Sequence, residues 1–175
     1  SIKKIMNSRE NLVFLGMMGS GKSSIGSLVS NKLNINFIDI DNEIEKKEDL
    51  KISKIFQKKG EEYFRQIEER ETLKFLKNKK TVISLGGGAF LNSKIKKEII
   101  SNHISFWLNW GIKTLVNRIE NSKKRPVANK LSKNEIEELI KKRSIIYSKA
   151  MYKIDCENLT KNEIVKKIVE IYEAH

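Results

Sequence analysis

Gly16-Met17-Met18-Gly19-Ser20-Gly21-Lys22-Ser23 decides the fold of this chain. It fits the pattern G-x-x-x-x-G-K-[ST], and its flanks are those the pattern needs. Asn11-Leu12-Val13-Phe14-Leu15 before it is a short apolar run suited to a buried parallel strand. After it, Ile25, Leu28, Val29 and Leu33 recur at helical spacing, which predicts a helix over 24–33. Strand, glycine turn and helix aim a row of backbone N–H groups and a helix N-terminus at one point, where a multiply charged anion fits. Gly19, Ser20, Gly21, Lys22, Ser23 and Ser24 are therefore expected to hold a nucleoside triphosphate. Lys22 is expected to reach the β- and γ-phosphates, and the Ser23 hydroxyl to ligate Mg²⁺. A turn that merely joins a strand to a helix explains the glycines but not Lys-Ser at the fixed offset.

The 175 residues suffice for one domain with a full core. No run of 18 apolar residues is present, so no membrane span is expected. Ser1-Ile2-Lys3-Lys4 leads toward the first strand without a signal-peptide apolar region, and the single cysteine, Cys156, suits a reducing compartment, so a cytoplasmic location is expected. The formal charge of +13 raises the question of nucleic acid, but the basic residues are scattered and interleaved with glutamate, without an arginine-rich block or zinc spacing. No nucleic-acid partner is expected; small phosphorylated or carboxylated ligands also gain from a positive field. Only six of the 35 basic residues are arginine: Arg9, Arg65, Arg70, Arg118, Arg125 and Arg143. Each is a candidate for bidentate recognition of carboxylate or phosphate, which lysine does poorly.

Strand-like and helix-like segments alternate throughout. Further strands are predicted at 36–39, 81–85, 104–108 and 152–155. A charged helical stretch runs from Asp41 to about Lys77, with breaks near Leu50 and at Gly60. Helices are expected over 93–100 and 112–119, and Ser132-x-x-Glu135 and Thr160-x-x-Glu163 are capping boxes that each open another. The alternation implies a parallel, three-layer α/β sheet in one domain. Two excursions leave it, a helical insert near 41–70 and a polar loop near 120–131.

Ligands of such sheets collect at the carboxyl ends of the strands. Asp39-Ile40-Asp41 follows the second strand; extended, its two carboxylates face one way, and one of them is expected to hold Mg²⁺ through water. A plain alternative makes Asp41 the N-cap of the next helix. Gly86-Gly87-Gly88 ends the third strand, and three glycines suggest a backbone that approaches a ligand closely. Phe64-Arg65-Gln66-Ile67-Glu68 taken alone is compatible with a surface ion pair. Arg125-Pro126 reads equally as a loop that closes over triphosphate and as a solvated charged loop. His103, His175, Trp107 and Trp110 read as structural.

The motifs of a GTPase and the paired acids of a motor ATPase are absent. The ordered set is more specific than any member of it: Gly16 to Ser23, Asp39-Ile40-Asp41, Ile55-Phe56, Gly60-Glu61, Phe64 to Glu68, Gly86-Gly87-Gly88, Arg118, Arg125-Pro126, and Arg143 with Tyr147 and Ala150. From about Leu12 to Met151 the chain closely resembles the shikimate kinases. The resemblance implies a nucleoside-monophosphate-kinase-like fold with a five-stranded parallel sheet of order 2-3-1-4-5. It also implies ATP-dependent phosphorylation of the 3-hydroxyl of shikimate, with Mg²⁺ and a monomeric enzyme. By that resemblance Lys22, Asp41 and Arg125 are catalytic, Ser23 and Asp39 serve the metal, and Arg118 and Arg125 join the ATP contacts. Asp41, Arg65, Gly86, Gly87, Gly88 and Arg143 bind shikimate, Arg65 and Arg143 gripping its carboxylate and Glu68 orienting Arg65. The basic and proline residues that the family often carries beside adenine are absent near Glu157 to Asn162. A kinase for another polyol acid such as gluconate, and a regulatory nucleic-acid-binding ATPase, are the competing readings.

Overall fold

The computed structural model describes residues 11–122 and 131–174. Strand β1 (Leu12–Leu15) is buried on both faces. Val13 and Leu15 enter one core while Leu12 and Phe14 enter the other, the period-two alternation of a central strand. Fully burying side chains of this size contributes roughly 1.5–3 kcal/mol each, which places the most apolar strand at the centre. Around it lie β2 (Asn36–Asp39), β3 (Thr81–Ser84), β4 (Ile104–Asn109) and β5 (Tyr152–Asp155), all parallel, in the order β2-β3-β1-β4-β5. In register, Leu12 stands between Val82 and Ile104. Order and strand positions agree with the sequence-based expectation to within a residue at each end.

Helices α1 (Lys22–Leu33) and α7 (Lys161–Glu173) cover one face through Ile25, Val29, Ile164 and Ile168. The other face carries α3 (Ile52–Phe75), α4 (Ser93–Asn102), α5 (Ile112–Glu120) and α6 (Lys133–Tyr147), with Ile67, Ile95, Leu115 and Ile136 in its core. Both capping boxes form: Ser132 and Thr160 accept from the backbone N–H of Glu135 and Glu163, whose carboxylates reach back to the cap N–H.

Both breaks expected in the charged insert are present. Helix α2 (Ile40–Glu48) ends at Asp49, which is left-handed at φ 53. Within α3, Gly60 has φ 87 and ψ 169, a region almost reserved for glycine, so this helix is two segments meeting at a bend. One local expectation is corrected. Asp39 and Asp41 do not share one face of an extended strand, and Asp41 is not the cap. Asp39 is the N-cap of α2, accepting from Asn42 N–H at 3.3 Å, and Asp41 already lies in the first helical turn. A cap keeps extended backbone while its side chain bonds an N–H three residues on, and Asp39 has Asn42 at that distance.

Candidate active site at the carboxyl edge of the sheet

The loop between β1 and α1 turns through Gly19 (φ 80) and Gly21 (φ 84), so residues without that freedom would strain it. Gly21 is the N-cap of α1, and Lys22 begins the helix. The Lys22 ammonium is almost fully buried and donates to the carbonyls of Gly16 and Met17, both at 2.9 Å. Beside it the Ser23 hydroxyl donates to the Asp39 carboxylate, with Ser84 Oγ 3.4 Å away. A cleft of about 630 Å³ opens over these groups and is lined by Lys22, Ser23, Ser24, Asp39, Asp41 and Gly87 among others. Ser23 and Asp39 set a hydroxyl and a carboxylate together at the mouth of an anion-binding loop. A hydroxyl and a carboxylate are hard-oxygen donors of the kind that could hold Mg²⁺.

A second group of residues meets around the triple glycine. On α3 the Arg65 Nη1 donates to Glu68 Oε1 at 2.7 Å, and Glu68 is 2% exposed, so this is no surface pair. A Cβ at Gly88 would stand only 2.7 Å from Arg65 Nη1. A Cβ at Gly87 would stand 3.8 Å from Arg143 Nη1. The two guanidinium groups therefore lie against adjacent glycines. Arg143 keeps Nε and Nη1 buried without a hydrogen-bond partner among the described residues. Buried donors are rarely left so, and the arrangement suits an anionic ligand. One turn along α6, the Tyr147 hydroxyl donates to the Gly87 carbonyl, and Tyr147 Oη also lies 3.9 Å from Met17 Sδ.

Arg118 lies on the other side of the phosphate loop. Its Cζ stands 4.1 Å over the Trp110 ring, and its Nη1 donates to Gly19 O at 2.8 Å. The Trp110 indole donates to Ser20 O at 2.7 Å. Glu157, from the β5–α7 connection, accepts from Gly111 N–H at 2.8 Å and Thr114 Oγ1 at 2.6 Å. Those two donors, helped by the Arg118 charge, hold its carboxyl below the usual range.

The structure thus brings Lys22, Ser23, Asp39, Asp41 and Gly87 to one cleft, and Arg65, Gly88 and Arg143 to its glycine wall. Gly86 follows β3 by two residues and precedes the two glycines of that wall. Arg125 and His175 lie outside the described residues. His103 is buried just before β4, at the opposite edge of the sheet, with Nε2 3.2 Å from Glu98 Oε1. Burial pushes the Cys156 thiol up to about 12, so it is no nucleophile at neutral pH. Sequence reasoning missed the contacts of Trp110 and Glu157 and gave Tyr147 no role. Only Tyr147 carried a signal, its place four residues after Arg143 on one helical face.

The family model for shikimate kinase matches residues 18–173. The chain belongs to the shikimate kinase family. A shikimate kinase of Persephonella marina is 40% identical over 159 residues, which are 91% of this chain and 96% of that protein. Two solved structures superpose over nearly the full length. A shikimate kinase from Acinetobacter baumannii in complex with shikimate has a TM-score of 0.88 at 26% identity, covering 98% of this chain and 97% of that one. The shikimate kinase from Aquifex aeolicus has a TM-score of 0.84 at 36% identity, covering 94% and 96%. As a shikimate kinase family member, the chain is an enzyme and an ATP-dependent kinase. Every site residue named above except Gly16 and Met17 falls within the matched span.

Proposed function

We propose that this enzyme transfers the γ-phosphoryl group of ATP to the 3-hydroxyl of shikimate, giving shikimate 3-phosphate and ADP. The observation that carries the acceptor is the pair of arginines on Gly87 and Gly88, with two buried donors of Arg143 that have no partner among the described residues. A planar carboxylate satisfies such donors bidentately and anchors the ring of a hydroxy acid. Family membership supports shikimate over other polyol acids.

In this reading the loop amides and Lys22 hold the triphosphate, and Lys22 neutralises charge that develops on the phosphoryl oxygens. Mg²⁺, when bound, supplies further neutralisation, held by the Ser23 hydroxyl and, through water, by Asp39. Arg65 and Arg143 grip the shikimate carboxylate, Glu68 holds Arg65 in orientation, and Asp41 contacts the ring hydroxyls. A bond forms between the 3-oxygen and the γ-phosphorus as the bond to the β,γ-bridging oxygen breaks. Asp41 is the group assigned to accept the hydroxyl proton. A loose transition state asks little of a base, so positioning supplies most of the acceleration. Arg125, which lies outside the described residues, is assigned as the further cation for the transferred group. The enzyme is taken to act as a cytoplasmic monomer.

A coupled ADP-release assay with shikimate and gluconate in parallel tests the proposal. Turnover is expected with shikimate alone. Activity on gluconate without shikimate turnover overturns the acceptor, and ATP hydrolysis that rises with polynucleotide and ignores shikimate overturns the reaction class.

A further inference from the structure

Trp110 stands where β4 hands the chain to α5, and it packs against the cores on both faces of the sheet. Two consecutive carbonyls of the phosphate loop are engaged at this residue. Its indole N–H holds Ser20 O at 2.7 Å. Its ring supports Arg118, which in turn holds Gly19 O at 2.8 Å. In a planar trans peptide the C=O and the following N–H point in opposite directions. Fixing the Ser20 carbonyl therefore fixes the Gly21 amide, and Gly21 has φ 84, with no side chain to hold it in place. Ser20 itself is fully buried, yet its hydroxyl has no hydrogen-bond partner among the described residues and anchors nothing. The anchor comes from outside the loop. The guanidinium is steadied the same way, stacked at 4.1 Å on a ring whose own position is set by two cores.

We propose that Trp110 is a positioning residue for the nucleotide: it presets the Gly21 amide through the Ser20 carbonyl and holds the Arg118 guanidinium flat beside the loop. The proposal rests on the reading of this loop as the ATP site. A rim tryptophan that only filled volume would affect stability and would treat the two substrates alike. Trp110 acts on the donor half of the site only, because its polar contact and its stack both end on the phosphate loop.

The test measures Mg·ADP and shikimate affinity by calorimetry on the unmutated enzyme, Trp110→Phe and Trp110→Leu. Phenylalanine keeps a ring beneath Arg118 and loses the donor, so ADP affinity should fall about five-fold, the worth of one hydrogen bond. Leucine loses both contacts and should weaken ADP about ten- to thirty-fold. Shikimate affinity should stay within about two-fold in both, and the KM for ATP should follow the ADP values. A folded Trp110→Phe enzyme that binds ADP as the unmutated one does overturns the proposal. Since calorimetry with ADP needs no acceptor, a failed shikimate assay beside these results would remove the acceptor and leave the role of Trp110 standing.

Discussion

Gly88 lacks a side chain where Arg65 needs the room. A Cβ there would meet Nη1 at 2.7 Å, Nη2 at 2.9 Å and Cζ at 3.0 Å, all inside van der Waals contact. The atoms in the way are the far end of a flexible side chain, so Gly88→Ala should leave the fold standing. The guanidinium must instead move off its bond to Glu68. Misplacing a binding group by an ångström costs on the order of a hundred-fold, so the KM for shikimate should rise about ten- to a hundred-fold. The KM for ATP should stay nearly constant. Steady-state kinetics with each substrate varied in turn separates the two, and an equal rise in both would remove Gly88 and Arg65 from the acceptor site. The sequence shows that three glycines end a strand and that something must approach them closely. It does not show that at Gly88 a neighbouring guanidinium already takes that space.

At the scale of elements, local patterns were readable and contacts between distant elements were not. Apolar runs marked β1, β3 and β4, shorter mixed segments marked β2 and β5, and the two serine/threonine-to-glutamate pairs marked α6 and α7 to the residue. The insert broke where Leu50 and Gly60 suggested, because a left-handed turn and a glycine-only backbone leave a trace in the residues themselves. The tether between β5 and α5 leaves none. Glu157 crosses 46 positions to satisfy Gly111 N–H, one of the donors that the start of any helix leaves open. Its carboxyl is held low chiefly by the Thr114 hydroxyl and then by Gly111 N–H. A carboxyl lower in the folded than in the unfolded chain stabilises above the unfolded value, near pH 4.3, and loses that contribution as pH falls through the folded one. Glu157→Gln should therefore melt below the unmutated enzyme at pH 7, and the gap should close as pH drops below about 4. Thermal melts across that range check it; a gap independent of pH would mean that the carboxylate charge is irrelevant to the tether.

For the whole molecule, the proposed function puts two anion sites, built from different layers, on one edge of a single sheet. The donor half comes from the loop before α1, braced by Trp110 and Arg118 across 90 and 99 positions. The acceptor half comes from α3, α6 and the glycines after β3. The phosphate half was legible because backbone donors require a fixed local motif. The acceptor half was legible only through resemblance, since nothing in the spacing of Arg65 and Arg143 says that both reach one diglycine. Separate construction predicts separable ligand linkage. A ligand that binds only the folded state stabilises it by about 2.7 kcal/mol at a hundred times its Kd. For a chain of this length that is a rise of about 5–11 °C in Tm. Mg·ADP and shikimate should each produce such a shift in the unmutated enzyme. Lys22→Ala should lose most of the ADP shift and keep the shikimate shift, while Arg143→Ala should do the reverse. Thermal melts of the three proteins with each ligand alone decide the matter. If Lys22→Ala abolished both shifts, the two halves would be one cooperative site, and the division of labour drawn from the geometry would be wrong.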